Sequence, residues 1–165
     1  MKIYRVIFKS IDIDEADNTL IITTFQNREL AEQYLKEKIE ELTKKFEIYN
    51  QLNNQIQSYS HGMRQKIVIC GALLSEPKNW ILDEPMTGLD PKSSFDLKEM
   101  MREHAKSGKT VFFSTHILEV AEKLCDRVGI INKGKLVFVG TFEEMKQKFK
   151  ENASLEDLFL EITEK

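Results

Sequence analysis

The stretch WILDEPMTGLDP, residues 80–91, runs from a short apolar segment into two acidic residues and then through a turn to a proline. The apolar segment is typical of a buried strand, and Pro91 suits the first turn of the helix predicted over PKSSFDLKEMMREHA. A second strand, TVFFST at 110–115, and a second helical pattern, HILEVAEKLC, follow that helix. Strands that alternate with helices from residue 60 onward predict an α/β fold with a mostly parallel sheet.

A different pattern occupies residues 1–46. Two β-rich runs, 3–13 and 19–25, are separated by a polar turn segment, which predicts a hairpin. Apolar residues recur with helical spacing over 28–46, which adds a long helix. We therefore expect a ββα leader of unknown role, for which a structural role is the default, and a separate part over residues 47–165.

The end of the chain adds further short elements. RVGIIN and KLVFVG predict a hairpin about Lys133 and Gly134, and TFEEMKQKF predicts a helix. SLEDLFLEIT begins with Ser154 and has an acidic residue three positions on, which predicts a capped final helix.

The composition is that of an ordinary globular protein. The 165 residues are 41% hydrophobic and 31% charged, which is enough for a real core. The net charge of −3 gives the chain no overall attraction to nucleic acid, and no apolar run approaches the length of a transmembrane helix. Cys70 and Cys125 lack metal-type spacing, so we expect them to be reduced core residues of a cytosolic protein.

Asp83 and Glu84 come directly after the predicted strand WIL. In parallel sheets ligands bind beyond the carboxyl ends of strands, and a carboxylate there suits Mg²⁺, which prefers oxygen ligands. A second carboxylate can orient and deprotonate an attacking water. The alternative is that the acidic pair simply begins a solvated turn. His116 ends the next strand and should emerge at the same edge, where it could contact a phosphate oxygen. The alternative is an ordinary residue of the following helix start, with its neighbours Ser114 and Thr115 as the caps.

YSHGMRQK, residues 59–66, predicts a helix start with Ser60 at or near the N-cap and Gly62 allowing close backbone approach. Free N–H groups and the helix dipole attract anions by about 0.3–1 kcal/mol for each exposed charge. That attraction is too weak to hold a nucleotide by itself. The alternative is a capped helix without a ligand.

The triplet Gly108-Lys109-Thr110 looks like the end of a phosphate-binding loop but does not meet the requirements of one. Such a loop follows a strand and opens a helix, whereas here a helical pattern precedes the triplet and a strand follows it. Glu103 occupies the position of the loop's first glycine. We therefore predict a helix-to-strand turn with Gly108 as the helix C-cap.

Four segments together resemble the ATP-binding cassette (ABC) ATPases in order and spacing: YSHGMRQK (59–66), WILDEP (80–85), TGLDP (87–91) and STH (114–116). The first is similar to the family signature loop, usually LSGGQ followed by RQR or RQK. The resemblance covers about residues 45–165, and its tail is similar to cassettes that drive ABC-2-type exporters. It implies an incomplete P-loop NTPase core that follows the ββα leader in the sequence.

The resemblance implies catalytic roles for Glu84 and His116 and a metal-binding role for Asp83. Asp83 matches the Walker B aspartate, which holds Mg²⁺ through water. Glu84 matches the catalytic glutamate, and His116 matches the switch histidine that contacts the γ-phosphate. The implied cofactors are ATP and Mg²⁺.

The resemblance also implies partners. In the family two cassettes enclose ATP between them, so Ser60 and Gly62 of the signature and Asp90 of the D-loop would contact nucleotide across a homo- or heterodimer. His61 and Met63 replace a glycine and a glutamine of the usual signature. A membrane permease would be a further partner, which places the chain in the cytoplasm at the inner face of the cell membrane.

Three motifs of the family have no match in this sequence. The Walker A phosphate loop, the aromatic residue that stacks on adenine and the Q-loop belong upstream of the signature, but residues 1–58 contain no glycine and match none of them. We therefore expect a C-terminal part of a transporter ATPase that does not bind ATP tightly by itself. Two alternatives remain open. One is a non-catalytic interaction or regulatory module that pairs with an intact cassette or a permease. The other is an autonomous ATPase in which a homodimer or an unexpected loop supplies the residues that bind the phosphates.

Overall fold

The computed structural model of the chain describes residues 4–9, 19–25, 28–74, 76–149 and 159. Its strands and helices, in chain order, are β1 (Tyr4–Lys9), β2 (Thr19–Phe25), α1 (Arg28–Lys45), α2 (His61–Leu74), β3 (Asn79–Leu82), α3 (Pro91–Lys106), β4 (Thr110–Phe113), α4 (Leu118–Leu124), β5 (Val128–Asn132), β6 (Lys135–Gly140) and α5 (Phe142–Phe149). The predicted α/β class is confirmed, and each predicted element within the described residues is present. The predicted final helix SLEDLFLEIT lies outside the described residues apart from Phe159.

Within the described residues, the six strands form three separate pairs. β3 and β4 pair in parallel, with Ile81 opposite Phe112, which confirms the predicted parallel pairing of the two strands that flank α3. β1–β2 and β5–β6 are antiparallel hairpins. The second hairpin turns at Lys133 and Gly134, whose φ angles of 48° and 74° suit a tight turn of the primed type.

Contacts between elements divide the chain into two units, residues 1–114 and 115–165. The sequence suggested a different division, with the boundary at residue 46. That boundary stays a prediction. In the first unit α1 contacts both strands of the first hairpin and also α2. Lys38 of α1 forms an ion pair of 2.7 Å with Glu76, just beyond the end of α2. The ββα segment is therefore packed against the elements that follow it.

Helix α3 is buried along one face, which includes Leu97, Met101 and His104. It ends as predicted, because Gly108 has a φ of 79° and its N–H donates to the carbonyl of Ala105 at 3.0 Å. A helix precedes the triplet 108–110 and a strand follows it. The structure thus agrees with the conclusion that this triplet is not a phosphate loop.

The second unit has its own small core. Its buried cluster consists of Ile130, Phe138, Phe142 and Met145, and Cys125 and Phe159 pack against it. Thr141 and Glu144 cap α5 reciprocally: the N–H of Glu144 donates to Thr141 Oγ1 at 3.1 Å, and the N–H of Thr141 donates to Glu144 Oε2 at 2.8 Å. In the portion of the chain that the structure describes, no helix has the length and apolar character needed to cross a membrane.

Candidate functional site

Asp83 and Glu84 follow β3 directly, and a single residue at the end of β4 holds both. The hydroxyl of Ser114 donates to Asp83 Oδ1 and accepts the N–H of Glu84 at 2.9 Å. The N–H of Ser114 donates to the carbonyl of Leu82 at 3.0 Å, which extends the pairing of the parallel strands by one residue. Ser114 therefore sets where both acidic residues leave the sheet.

The role of Ser114 was not predicted from the sequence, where Ser114 and Thr115 were considered only as caps of the helix that follows. Thr115 does not cap α4, because its Oγ1 accepts the N–H of Ile117 at 3.1 Å and Ile117, the N-cap residue of α4, has no side-chain capping bond. Ser114 instead bonds to residues thirty positions earlier. The signal available in the sequence was a hydroxyl at the end of the strand predicted to lie beside WIL.

The backbone of Glu84 is in the left-handed region, with a φ of 42°. A tight turn accompanies this conformation, because the N–H of Thr87 donates to the carbonyl of Glu84 at 3.0 Å and Thr87 Oγ1 donates to Glu84 Oε2 at 3.3 Å. Residues with a Cβ adopt such a conformation at a cost of order 1–3 kcal/mol, and they are concentrated at functional sites. The conformation of Glu84 thus supports a functional role for this turn.

The first turn of α2 packs closely on the turn that contains Gly88. Ser60 lies at the N-cap, as predicted, and its Oγ accepts the N–H of Met63 at 3.3 Å. A Cβ on Gly62 would lie 2.6 Å from the carbonyl oxygen of Gly88, and a Cβ on Gly88 would lie 2.5 Å from Nδ1 of His61. Gly62 is therefore required for this close approach, and Gly88 is favoured by its φ of 80°.

Asp90 caps α3 and connects it to α2. Its Oδ1 accepts the N–H of Ser93 at 2.9 Å, and its Oδ2 accepts the hydroxyl of Ser93 at 2.8 Å. Lys66 forms an ion pair with Oδ2 at 2.6 Å. The hydrogen bond from Lys66, followed by those from Ser93, lowers the pKa of Asp90 below its usual range. The structure thus gives Asp90 a structural role, while its contact with nucleotide stays a prediction.

Five of the six predicted site residues lie in the first unit: Ser60, Gly62, Asp83, Glu84 and Asp90. His116 belongs to the second unit, where it is exposed two residues before the start of α4. The site roles of all six residues remain predictions.

The acidic residues alone do not form a metal centre. No group of three or more His, Cys, Asp or Glu within the described ranges could hold a metal ion. Mg²⁺, however, is usually bound by one or two carboxylates together with waters and substrate phosphates. Asp83 is exposed, and its Oδ1 accepts the hydroxyl of Ser114. A single carboxylate in this position fits an ion that arrives with a phosphate ligand.

A shallow cavity of about 450 Å³ lies in the second unit. Its lining consists of Arg127, which precedes β5, together with residues of β6 and α5 that include Phe138 and Lys148. None of the six predicted site residues contributes to it. This cavity is therefore distinct from the candidate site.

Comparison with known proteins identifies the family. A sequence profile of the family described as "ABC transporter" matches residues 7–87. The match begins within the ββα segment, which the motifs alone did not connect with the family. The chain is similar to the ABC-type transporter ATP-binding protein EcsA of Bacillus subtilis (strain 168), with 38% identity over 135 residues that make up 81% of this chain and 55% of EcsA.

Two further matches support the same family. The daunorubicin resistance ATP-binding protein DrrA3 of Streptomyces coeruleorubidus is 32% identical over 117 residues, which cover 71% of this chain and 37% of DrrA3. A solved structure of the ATP-binding subunit of an ABC transporter matches with a TM-score of 0.73 and 35% identity, covering 81% of this chain and 56% of that subunit. The chain spans about half the length of the curated relatives it matches. By sequence and by fold, it belongs to the ATP-binding proteins of ABC transporters.

Proposed function

We propose that this chain is part of an ATP-binding cassette that helps to power an ABC transporter of the exporter type. We further propose that another polypeptide segment supplies the loop that binds most of the nucleotide's phosphates. A second cassette and a membrane permease are the proposed partners, at the cytoplasmic face of the membrane. The names of EcsA and DrrA3 describe ATP-binding proteins, and the tail sequence supports the exporter type.

One observation carries this proposal: Ser114 holds both Asp83 and Glu84 at the carboxyl end of the parallel pair. Ligands of parallel α/β sheets bind beyond that end. There Ser114 fixes the carboxylate of Asp83 and the backbone of Glu84, which suits chemistry better than an acidic pair that only begins a solvated turn. The left-handed backbone conformation of Glu84 also supports the proposal, because such conformations are concentrated at functional sites.

Each residue has a defined part in the proposed hydrolysis. Glu84 would orient a water toward the γ-phosphate and take its proton. Asp83 would hold Mg²⁺ through water, and His116 would donate a hydrogen bond to a γ-phosphate oxygen. When bound, Mg²⁺ neutralises charge that develops on the phosphates. Ser60 and Gly62 would present backbone N–H groups of the start of α2 to a phosphate held mainly by the partner.

The proposal predicts weak nucleotide binding by the chain alone. A phosphate cradle needs several backbone N–H groups at positions without a Cβ, and the chain has seven glycines, none before Gly62. The few donors at the start of α2 each contribute about 0.3–1 kcal/mol, whereas micromolar binding requires about −8 kcal/mol. The rest of that free energy must come from another segment.

The test is a Mg²⁺-ATP titration followed by calorimetry and by fluorescence of Trp80, which lies three positions before Asp83. We expect no saturable binding by the isolated chain up to millimolar ATP. We expect micromolar binding, and hydrolysis, once the chain is in complex with the part of EcsA that lies outside the match. Glu84→Gln should keep the binding and lose the hydrolysis, whereas the exposed Glu103→Gln serves as the matched control and should change neither.

Micromolar binding by the isolated chain would contradict the proposal and favour an autonomous ATPase. A stable complex that binds no Mg²⁺-ATP would favour the second candidate function, a non-catalytic module that pairs with an intact cassette or a permease. The exposed apolar face of β3–β4 supports that second candidate, because it offers a surface for a partner irrespective of nucleotide.

A further inference from the structure

Helix α2 contacts residues 84–90, hereafter the acidic turn, along one face of the helix. Gly62, Gln65 and Lys66 are three and four positions apart, and residues with that spacing lie on the same side of a helix. Gly62 approaches the backbone of the turn, and the side-chain amide of Gln65 donates a hydrogen bond of 3.5 Å to the carbonyl of Pro85. Lys66 forms an ion pair with the end of the turn. The start of α2 is therefore joined to the acidic turn at three places.

Lys66 makes the strongest of these three contacts. Its Nζ lies 2.6 Å from Oδ2 of Asp90, and its side chain is only 12% exposed, against 41% for Asp90. Water and salt therefore screen this pair less than they screen a pair of fully exposed side chains. The contact of Gly62 resists closer approach of the two segments but not their separation, and the bond from Gln65 is long for a hydrogen bond. Lys66 is therefore the residue that keeps the acidic turn on α2.

Glu84 lies between this ion pair and the end of β4. Before it, the hydroxyl of Ser114 accepts the N–H of Glu84 at 2.9 Å. After it, the carbonyl of Glu84 accepts the N–H of Thr87 at 3.0 Å, and the turn then continues to the partner of Lys66. A left-handed backbone at a residue with a Cβ persists only where the surrounding structure determines it. Ser114 supplies one such constraint, and the attachment of the turn to α2 supplies the other.

We propose that Lys66 is a positioning residue for Glu84, which acts through Asp90 to hold the acidic turn against the start of α2. The inference rests on the proposed function, in which Glu84 orients a water and Ser60, at the start of α2, contacts a phosphate. Lys66 then keeps these two parts of the site at a fixed relative position. Such positioning matters because a small displacement of a catalytic group lowers the rate strongly.

The experiment is hydrogen exchange of the full chain, measured by NMR without nucleotide. The amide of Thr87 reports opening of the acidic turn, because it donates to the carbonyl of Glu84. The amide of Ser114 donates to the carbonyl of Leu82 and reports opening of the parallel pair. A contact that only stabilises the whole unit changes the exchange of both amides, whereas a positioning contact changes that of Thr87 alone.

The test variant is Lys66→Met, which keeps an unbranched apolar side chain and removes the charge. Lys66→Arg is the conservative variant, since it retains the charge and the reach. The matched control is Lys92→Met, because Lys92 forms its ion pair with Glu47 and not with the acidic turn. Asp90→Asn, which keeps a capping side chain, removes the same ion pair from its other end should Lys66→Met not fold.

We expect Lys66→Met and Asp90→Asn to accelerate exchange of the Thr87 amide about three- to tenfold and to leave that of Ser114 unchanged. Lys66→Arg and Lys92→Met should exchange like the unchanged chain. The double variant Lys66→Met/Asp90→Asn should exchange no faster than either single variant, because both remove one interaction.

Three results would overturn the inference: equal acceleration of both amides, no acceleration of Thr87 exchange in Lys66→Met and Asp90→Asn, or equal acceleration in Lys92→Met. The readout contains no nucleotide and is therefore separate from the Mg²⁺-ATP titration. A chain that gives the expected exchange but fails in that titration contradicts the proposed function and leaves the action of Lys66 on the turn standing.

Discussion

The indole of Trp80 stacks on the imidazole of His104, with ring centroids 4.2 Å apart and an angle of 24° between the rings. Both side chains are buried between β3 and α3. Nε2 of His104 lies 3.2 Å from the carbonyl oxygen of Lys78. Nε1 of Trp80, in contrast, has no hydrogen-bond partner in the described part of the chain. The fluorescence of Trp80 should therefore report on the protonation and packing of His104.

We expect the stability of the fold to decrease as the pH falls from about 7.5 to 5.5. Burial lowers the pKa of His104 below its ordinary value of about 6.5, and the nearby charge of Lys109 acts in the same direction. The unfolded chain then takes up a proton at a pH where the folded chain does not, so acid favours unfolding. Urea unfolding monitored by Trp80 fluorescence measures the change. His104→Phe keeps the stacking and should flatten this pH dependence; an unchanged slope in that variant would contradict the prediction.

Gly62 and Gly71 lie on the same helix and should respond to alanine in opposite directions. A Cβ on Gly62 would clash with the backbone carbonyl of Gly88 at 2.6 Å, whereas a Cβ on Gly71 would meet nothing within 4 Å. Gly62→Ala should destabilise the fold by about 1–3 kcal/mol, as overpacking does. Gly71→Ala should stabilise it by about 0.5–1 kcal/mol, because glycine is unfavourable within a helix. Thermal and urea unfolding of the two variants provide the test, and a change of the same sign in both would refute the close approach.

Replacement of Asp90 should separate its capping role from its ion pair. Asp90→Ala removes both, and loss of an N-cap typically costs about 0.5–2 kcal/mol. Asp90→Asn retains a good capping side chain and loses mainly the ion pair with Lys66, for which we expect about 0–1 kcal/mol. The free energies of unfolding in urea compare the two variants. If asparagine costs as much as alanine, the ion pair is the more important of the two interactions.

Removal of the Ser114 hydroxyl should make both Asp83 and the backbone of Glu84 more mobile. Ser114→Ala deletes the bonds to Asp83 Oδ1 and to the N–H of Glu84, each worth about 0.5–1.5 kcal/mol net. Hydrogen exchange of the Glu84 amide, measured by NMR, should become faster in this variant. Thr115→Ala, which removes the neighbouring hydroxyl, should leave that amide unchanged. Equal exchange rates in Ser114→Ala and the unchanged chain would argue that Ser114 does not position the site.

Most of the individual elements could be predicted from the sequence, because their signals are local. Pro91 at the first turn of α3, Gly108 just after its end and Gly134 in the second hairpin turn all act within a few residues. The same holds for Ser60 as the cap of α2. The motif spacing around Asp83 was also sufficient to indicate the family. These conclusions depend on backbone preferences and on periodicity, which a single chain segment carries by itself.

The sequence by itself thus determined the order of strands and helices and the placement of two carboxylates at the end of a strand. Only the tertiary structure decided how these parts meet. The bonds from Ser114 to the residues after β3, the contact of Gly62 with Gly88 and the exposure of Ile81 and Phe112 all join or reveal residues brought together by folding. The physical reason is that hydrogen-bond geometry and burial depend on the positions of neighbouring elements, whereas helix caps, turns and strand patterns depend on nearby residues alone.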